Sequence, residues 1–325
     1  MKKHWRVFFL LGIATVVVAY LGFDRYHADV ARTAAPAAAT PALAIPAKTP
    51  TSATAPTAII VQTNADTPLR TRQSKTNAYS ATRDLSAYID SLQTDGSSEA
   101  EILTAKAKAM EECWMLSLRP NYAAEAIESR ARITQENSTQ FRQDIGRLSQ
   151  RCSALISQGQ VSLKNLKANY AKAARDGNAE AMAYQLSHAV FHDANSDERA
   201  PPTATSPDFD PRQKILDILA SGDPEAIFLL SGLFNENSRF RGKAAGSAIA
   251  EAAWQLAACD FGLDCSENSY LLRQYCINAG AYCEPGDLRW HIRELRLAPA
   301  AYQRAVALET EIYAAIKSGN AASLF

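Results

Sequence analysis

The stretch from residue 250 to residue 283 decides the fold that the sequence predicts, and it reads AEAAWQLAACDFGLDCSENSYLLRQYCINAGAYC. Apolar residues recur at helical spacing in its first half, and Gly262 ends that pattern. A second apolar pattern follows, with Ser266 as its candidate N-cap and Gly280 after its last apolar residue. We therefore predict two short helices with facing apolar sides, joined by a turn and cross-linked by disulfides.

Four of the six cysteines lie in this stretch. An even number of cysteines suggests disulfides in an exported protein, and four cysteines allow three pairings. We expect Cys259 to pair with Cys276, because both lie on helices near the shared turn. Cys265 then pairs with Cys283, since each lies in the loop that follows a helix. A zinc site is the alternative, although C-x5-C and C-x6-C are wider than the usual spacing of zinc ligands.

The N-terminus predicts export. Residues 7–23 carry no charge, and a helix of this length spans roughly 26 Å at about 1.5 Å per residue, the short end of the range for a membrane span. The basic residues within 1–6 place that end in the cytoplasm. We therefore predict a single-pass inner-membrane anchor at 7–23, in contact with the lipid bilayer, with the rest of the chain in the periplasm. A cleaved signal peptide, which would give a secreted protein, is the alternative.

A linker follows the anchor. Residues 24–80 are rich in Ala, Pro and Thr, and proline recurs every four to six residues between positions 36 and 56. Each proline removes a backbone donor and restricts the residue before it, so no helix can form there. We predict that 24–80 is a disordered linker, which would let a membrane-held domain act at a distance from the bilayer.

Helical periodicity begins at about residue 82 and defines a first helical segment, 81–191. Ser98 and Glu101 are spaced as a capping box for a helix that ends near Leu118. Two further helices are predicted over 122–135 and 139–157, separated by a turn at 136–138.

This turn makes the first and third of these helices parallel, so Cys113 and Cys152 lie at matching heights. A disulfide requires Cα atoms within about 7 Å, and the arrangement allows one. We predict a Cys113–Cys152 bond, and two buried free thiols are the alternative. A polar, proline-containing segment at 192–211, which we predict to be a flexible loop, then leads to a disulfide-stapled helical segment, 212–325.

A tight turn between helices occurs three times, as AARDGNAEA (173–181), ASGDPEA (220–226) and IKSGNAA (316–322). Each glycine can adopt the left-handed conformation that ends a helix, and the Asn or Asp after it can cap the next one. Pro224 suits the first position of a helix, where no donor is needed. The residues of these joints are Gly177, Asn178, Gly222, Asp223, Gly319 and Asn320.

The run NYAKAARDGNAEAMAYQL (169–186) resembles the joint between Sel1-like repeats, a TPR-type α-solenoid family, and ILASGDPEAIFLL (218–230) resembles it less closely. Together they cover about a tenth of the chain, and the Gly-x-Gly loop typical inside Sel1 repeats is missing. The resemblance implies stacked helical hairpins that present a protein-binding surface, and it carries over no catalytic residue. We predict an all-α fold, either such a solenoid or an irregular helical bundle.

Chemical motifs are scarce. His188 and His192 share a helix face, but Ala189 stands where a zincin has glutamate and no third ligand is evident, so we expect no metal. Phosphate-loop, dinucleotide-binding and nucleophile-elbow motifs are absent, and we expect no cofactor and no catalytic residue. Glu111 and Glu112 occupy positions expected to be exposed, and Glu128 has no motif around it that would support a muramidase-type general acid.

The charge balance also limits function. The chain has 34 basic and 34 acidic residues, which argues against nucleic acid as a partner. Export, a linker and helical joints without a catalytic constellation indicate a periplasmic module that binds a protein partner in the bacterial envelope. A cell-wall hydrolase that uses a carboxylate of the helical domain is the alternative.

Overall fold

The computed structural model describes residues 77–133, 138–195, 210–279 and 283–325, and within these ranges it is helical and contains no strand. The all-α prediction is therefore confirmed. Several predictions lie outside the described residues, namely the cytoplasmic end 1–6, the anchor 7–23, the linker up to residue 76, most of the turn at 136–138, and most of the loop 192–211. In the described ranges, none of the helices has the length and apolar character needed to cross a bilayer.

The helices are α1 (Leu85–Thr94), α2 (Glu99–Leu118), α3 (Tyr122–Ile133), α4 (Ser138–Ser157), α5 (Leu163–Arg175), α6 (Ala179–Asn195), α7 (Pro211–Ala220), α8 (Pro224–Ser231), α9 (Ala248–Asp260), α10 (Tyr270–Ala279), α11 (Leu288–His291) and α12 (Pro299–Lys317). A short π-helix (Ile292–Arg296) follows α11, and a 3-10 helix (Ala321–Leu324) follows α12. The main packing partners form a series: α4 packs on α2, α2 on α5, α5 on α6, α6 on α8, α8 on α9, and α9 on α12.

Local sequence signals set the boundaries of α2. The Ser98 hydroxyl accepts a hydrogen bond from the backbone of Glu101, and the Glu101 carboxylate accepts one from the backbone of Ser98, which is the predicted capping box. Cys113 of α2 bonds to Cys152 of α4 with a Cα–Cα distance of 5.4 Å, so this predicted disulfide is confirmed. The bond fastens α2 to α4 inside the core, where both cysteines are fully buried.

Two of the three predicted joints have the expected capping. Gly177 and Gly222 have φ values of 84° and 60°, which is the left-handed backbone conformation expected of the residue that ends an α-helix. The Asn178 side chain accepts a hydrogen bond from the Ala181 backbone at 2.9 Å, and Asp223 accepts one from Ala226 at 3.0 Å.

The third joint has the predicted glycine conformation but not the predicted cap. Gly319 is left-handed, with a φ of 72°, but the Asn320 side chain caps nothing. Asn320 has φ −104° and ψ 33°, which is not the extended conformation of an N-cap, and only a 3-10 turn follows it.

The two helices of the 250–283 stretch do not face each other, and this prediction was wrong. Helix α9 packs on α8 and α12, whereas α10 packs on α4. Ser266 is not the N-cap of α10, because the longer connection lets the Ser269 hydroxyl accept from the Leu272 backbone at 3.3 Å instead.

The pairing of the four C-terminal cysteines was therefore also predicted wrongly. The disulfides join Cys259 to Cys265 and Cys276 to Cys283. Because the two helices pack on different neighbours, each helix is linked to the loop that directly follows it. All six cysteines of the chain are in disulfides.

Apolar side chains form two main clusters. The C-terminal cluster surrounds Trp254, which is fully buried, stacks on Phe234 and donates through Nε1 to the Ala244 carbonyl at 2.8 Å. The N-terminal cluster combines residues of α1, α2 and α4 with Cys276, Ile277 and Cys283. Residues of α6 belong to the C-terminal cluster, so the predicted segments 81–191 and 212–325 share their cores.

Candidate binding site

Residues 77–84, here called the N-terminal strap, lie against the core ahead of α1. The sequence placed 77–80 in the disordered linker, but residues 77–81 are helical and Tyr79 is only 4% exposed. Arg151 Nη1 donates to the carbonyls of Tyr79, Ser80 and Thr82, and Arg273 Nη2 donates to the Ser80 carbonyl at 2.8 Å. These charge-assisted hydrogen bonds hold the strap in place, so residues 77–80 do not belong to a disordered linker.

A buried ion pair lies under the strap. Arg151 Nε is 2.8 Å from Glu112 Oε1, and Arg151 Nη2 donates to Glu112 Oε2 at 3.1 Å. The Tyr79 hydroxyl donates to Glu112 Oε2 at 2.8 Å, and burial raises the Tyr79 pKa well above its ordinary value. Glu112 was expected to be exposed, and this was wrong because it precedes Cys113 at the interface of α2 with α4. Glu111, by contrast, is exposed.

Lys108 is the centre of a second charged group. Its Nζ lies 2.7 Å from Glu225 and 3.4 Å from Glu180, and 5.0 Å from the ring centroids of both Tyr79 and Tyr270. Two carboxylates and two aromatic faces therefore surround one ammonium group.

The repeated joints place these two glutamates. Glu180 follows the cap Asn178 by two residues, and Glu225 follows the cap Asp223 by two residues. The shared pattern is Gly, Asn or Asp, any residue, then Glu. The third joint has Ala322 at the equivalent position and does not contribute to the site.

Burial dominates the electrostatics of this group. It raises the pKa of Glu180 to about 8, with Lys108 opposing the shift and Glu225 and Asp223 adding to it. Burial opposes the charge on Lys108, but the two glutamates outweigh burial and hold its pKa well above the ordinary value. Lys108 is therefore a fixed cation, and Glu180 retains a proton near neutral pH.

Lys108 lies at the wall of a cavity of about 350 Å³, here called the acidic cavity. Helix α2, the aromatic rings of Tyr79 and Tyr88, and the first two joints enclose it. Its volume is at the small end of the range for ligand pockets, about 300–1,000 Å³. Lys108 is the one basic side chain among the described residues that line it, and the acidic ones are Glu101, Asp176, Glu180, Asp223 and Glu225.

The residues singled out for catalysis or metal binding lie elsewhere. His188 contacts the Tyr184 ring at 4.3 Å between centroids, and the side chain of His192 is outside the described part of the chain. Glu128 is exposed on α3. In the described ranges, no three His, Cys, Asp or Glu side chains are grouped as metal ligands.

Compared with known proteins, the chain matches no family model, no curated protein and no solved structure. The Sel1-like resemblance remains a prediction from the sequence.

Proposed function

We propose that the protein is a membrane-anchored periplasmic interaction module that receives a basic side chain of a protein partner in the acidic cavity. The observation that carries this proposal is the excess of carboxylates over the single lysine that lines the cavity. Lys108 already contacts two of them, Asp176 pairs with Lys172 at 3.0 Å, and Glu101 and Asp223 cap helices. The lining still carries more acidic than basic side chains, and this excess favours a further cation.

Aromatic groups favour the same kind of ligand. Tyr88 is half-buried and lines the cavity, and a Lys or Arg side chain over a tyrosine face gains about 0.5–1 kcal/mol at exposed sites. Entry of a cation favours the ionised form of Glu180, so we expect binding to release a proton.

The architecture and the cysteines support the rest of the proposal. The serial packing of α5 on α6, α6 on α8 and α8 on α9 suits a solenoid-like binding protein, as the Sel1-like joints imply. Disulfides at all six cysteines fit an oxidising compartment such as the periplasm.

The test is chemical crosslinking in intact envelopes, followed by recovery of the tagged full-length protein. Wild type should recover a specific partner, and Glu225→Gln should lower the yield at least fivefold. Glu236→Gln is the matched control, because Glu236 is exposed and does not line the cavity. Equal yields from both variants, or no partner above background, would exclude the proposal.

One observation favours the hydrolase alternative. A carboxyl group with a pKa of about 8 retains the proton that a general acid must donate, and Glu225 lies near Glu180. Lys108 contacts both carboxylates, however, and this arrangement suits binding better than proton transfer. Release of soluble fragments from purified peptidoglycan by wild type, and none by Glu180→Gln, would establish the hydrolase.

A further inference from the structure

A second cavity, of about 390 Å³, has the opposite charge. The N-terminal strap, α4 and the loop before α10 enclose it, and it is here called the arginine cavity. Asp264 is the one acidic side chain among the described residues that line it. The basic ones are Arg83, Arg147, Arg151 and Arg273.

The positive charge of this cavity is only partly balanced. Glu112 neutralises Arg151, and Arg147 lies 3.8 Å from Asp144. Arg273 is only 9% exposed, yet within the described part of the chain its guanidinium meets no carboxylate at ion-pair distance. It donates instead to the backbone carbonyls of Asn268 and Ser80.

The surroundings of Arg273 disfavour its charge. Burial lowers the Arg273 pKa, and Arg151 and Arg147 lower it further, while Glu112 and Asp144 act in the opposite direction. A buried cation without an anionic partner is costly, and an anion placed beside it would relieve that cost.

We propose that the arginine cavity binds the phosphate group of a small ligand. Guanidinium groups present several donors in a planar arrangement that matches phosphate oxygens, and such bonds are about twice as strong as those between neutral groups. Polar side chains that also line the cavity, such as Gln150 and Asn268, can add hydrogen bonds. This site is separate from the acidic cavity and does not depend on the protein partner proposed above.

Calorimetric titration of the full chain with inorganic phosphate, at constant ionic strength, tests this site. Wild type should bind one phosphate saturably, and Arg147→Gln should weaken binding at least tenfold. Arg147 is 48% exposed, so this variant should fold. Arg142→Gln on the same helix is the matched control, because Arg142 is exposed and does not line the cavity.

Several results decide the proposal. Absence of saturable binding to wild type, or equal weakening by Arg147→Gln and Arg142→Gln, would overturn it. Retained binding in Glu225→Gln is expected, which keeps this test independent of the acidic cavity.

Competition identifies the source of the phosphate once binding is established. Displacement by glycerol 3-phosphate supports a soluble phosphate ester. Displacement by dihexanoyl-phosphatidylglycerol, and not by glycerol 3-phosphate, supports a lipid headgroup.

Discussion

Replacing Glu112 with glutamine would remove one charge from the ion pair beneath the N-terminal strap. Arg151 would then keep its charge while its side chain is only 3% exposed. Breaking a buried pair in this way costs about 3–5 kcal/mol, and a glutamine oxygen can still accept one hydrogen bond. We therefore expect Glu112→Gln to lower the free energy of unfolding by about 3 kcal/mol, a large part of the 5–15 kcal/mol typical of a domain.

Urea unfolding followed by circular dichroism measures this loss, since the midpoint shifts while the slope stays constant. Lys243→Met is the control, because Lys243 and Glu311 form an ion pair whose side chains are 65% and 45% exposed. Exposed pairs contribute about 0–1 kcal/mol, so this variant should be nearly neutral. A loss below about 1 kcal/mol for Glu112→Gln would refute the argument that the pair is buried and that it fixes the strap.

Further predictions concern the joints, the disulfides and pH. Gly177→Ala should destabilise the protein by about 1–2 kcal/mol, because Gly177 has a φ of 84° that alanine rarely adopts. Gly146→Ala should stabilise it by up to about 1 kcal/mol, because alanine has the higher helix propensity and a Cβ there meets no other atom. The urea midpoints of the two variants should therefore shift in opposite directions. Removing the Cys113–Cys152 bond, which closes a loop of 39 residues, should lower the free energy of unfolding by about 4 kcal/mol. Removing the Cys259–Cys265 bond, which closes a loop of 6 residues, should lower it by about 2 kcal/mol. Thermal unfolding of the two double-alanine variants should show the larger loss for Cys113–Cys152. The pKa of Glu180 is raised on folding, from 4.5 to about 8, so the folded state binds more protons in this window and the free energy of unfolding should fall as pH rises through it. Unfolding series between pH 5 and pH 8 should show this slope in wild type and a weaker one in Glu180→Gln, and identical slopes would contradict the burial of Glu180.

Local signals made much of the fold predictable. The capping box at Ser98, the proline that opens α7 after Asp210, and the glycines of the joints act within a few residues, so the sequence displays them directly. The Cys113–Cys152 bond was also predictable, because a turn predicted at 136–138 together with the helix lengths brings the two cysteines to the same height.

Contacts between distant residues were not predictable in this way. The disulfide partners of Cys259 and Cys276 depend on which helices pack together. No local pattern in the sequence shows that α10 packs on α4 rather than on α9. The ion pair of Glu112 with Arg151 joins residues 39 apart, and neither has a motif around it.

The acidic cavity could have been found in part. The glutamate two residues after each cap is visible in both joints, at Glu180 and Glu225. Its partner Lys108 is on α2, far away in the sequence, and only the packing of α2 against these joints brings the three side chains together.

Photocrosslinking from inside the acidic cavity tests the proposed partner binding most directly. Ala105 lines this cavity and is half-buried, so a photoreactive amino acid introduced there should crosslink to a protein partner in living cells. The same group at Lys214, which is exposed on α7, should give no such adduct, and Glu225→Gln should abolish the adduct formed from position 105. Absence of a protein adduct from position 105, or an equal adduct from both positions, would contradict binding in this cavity.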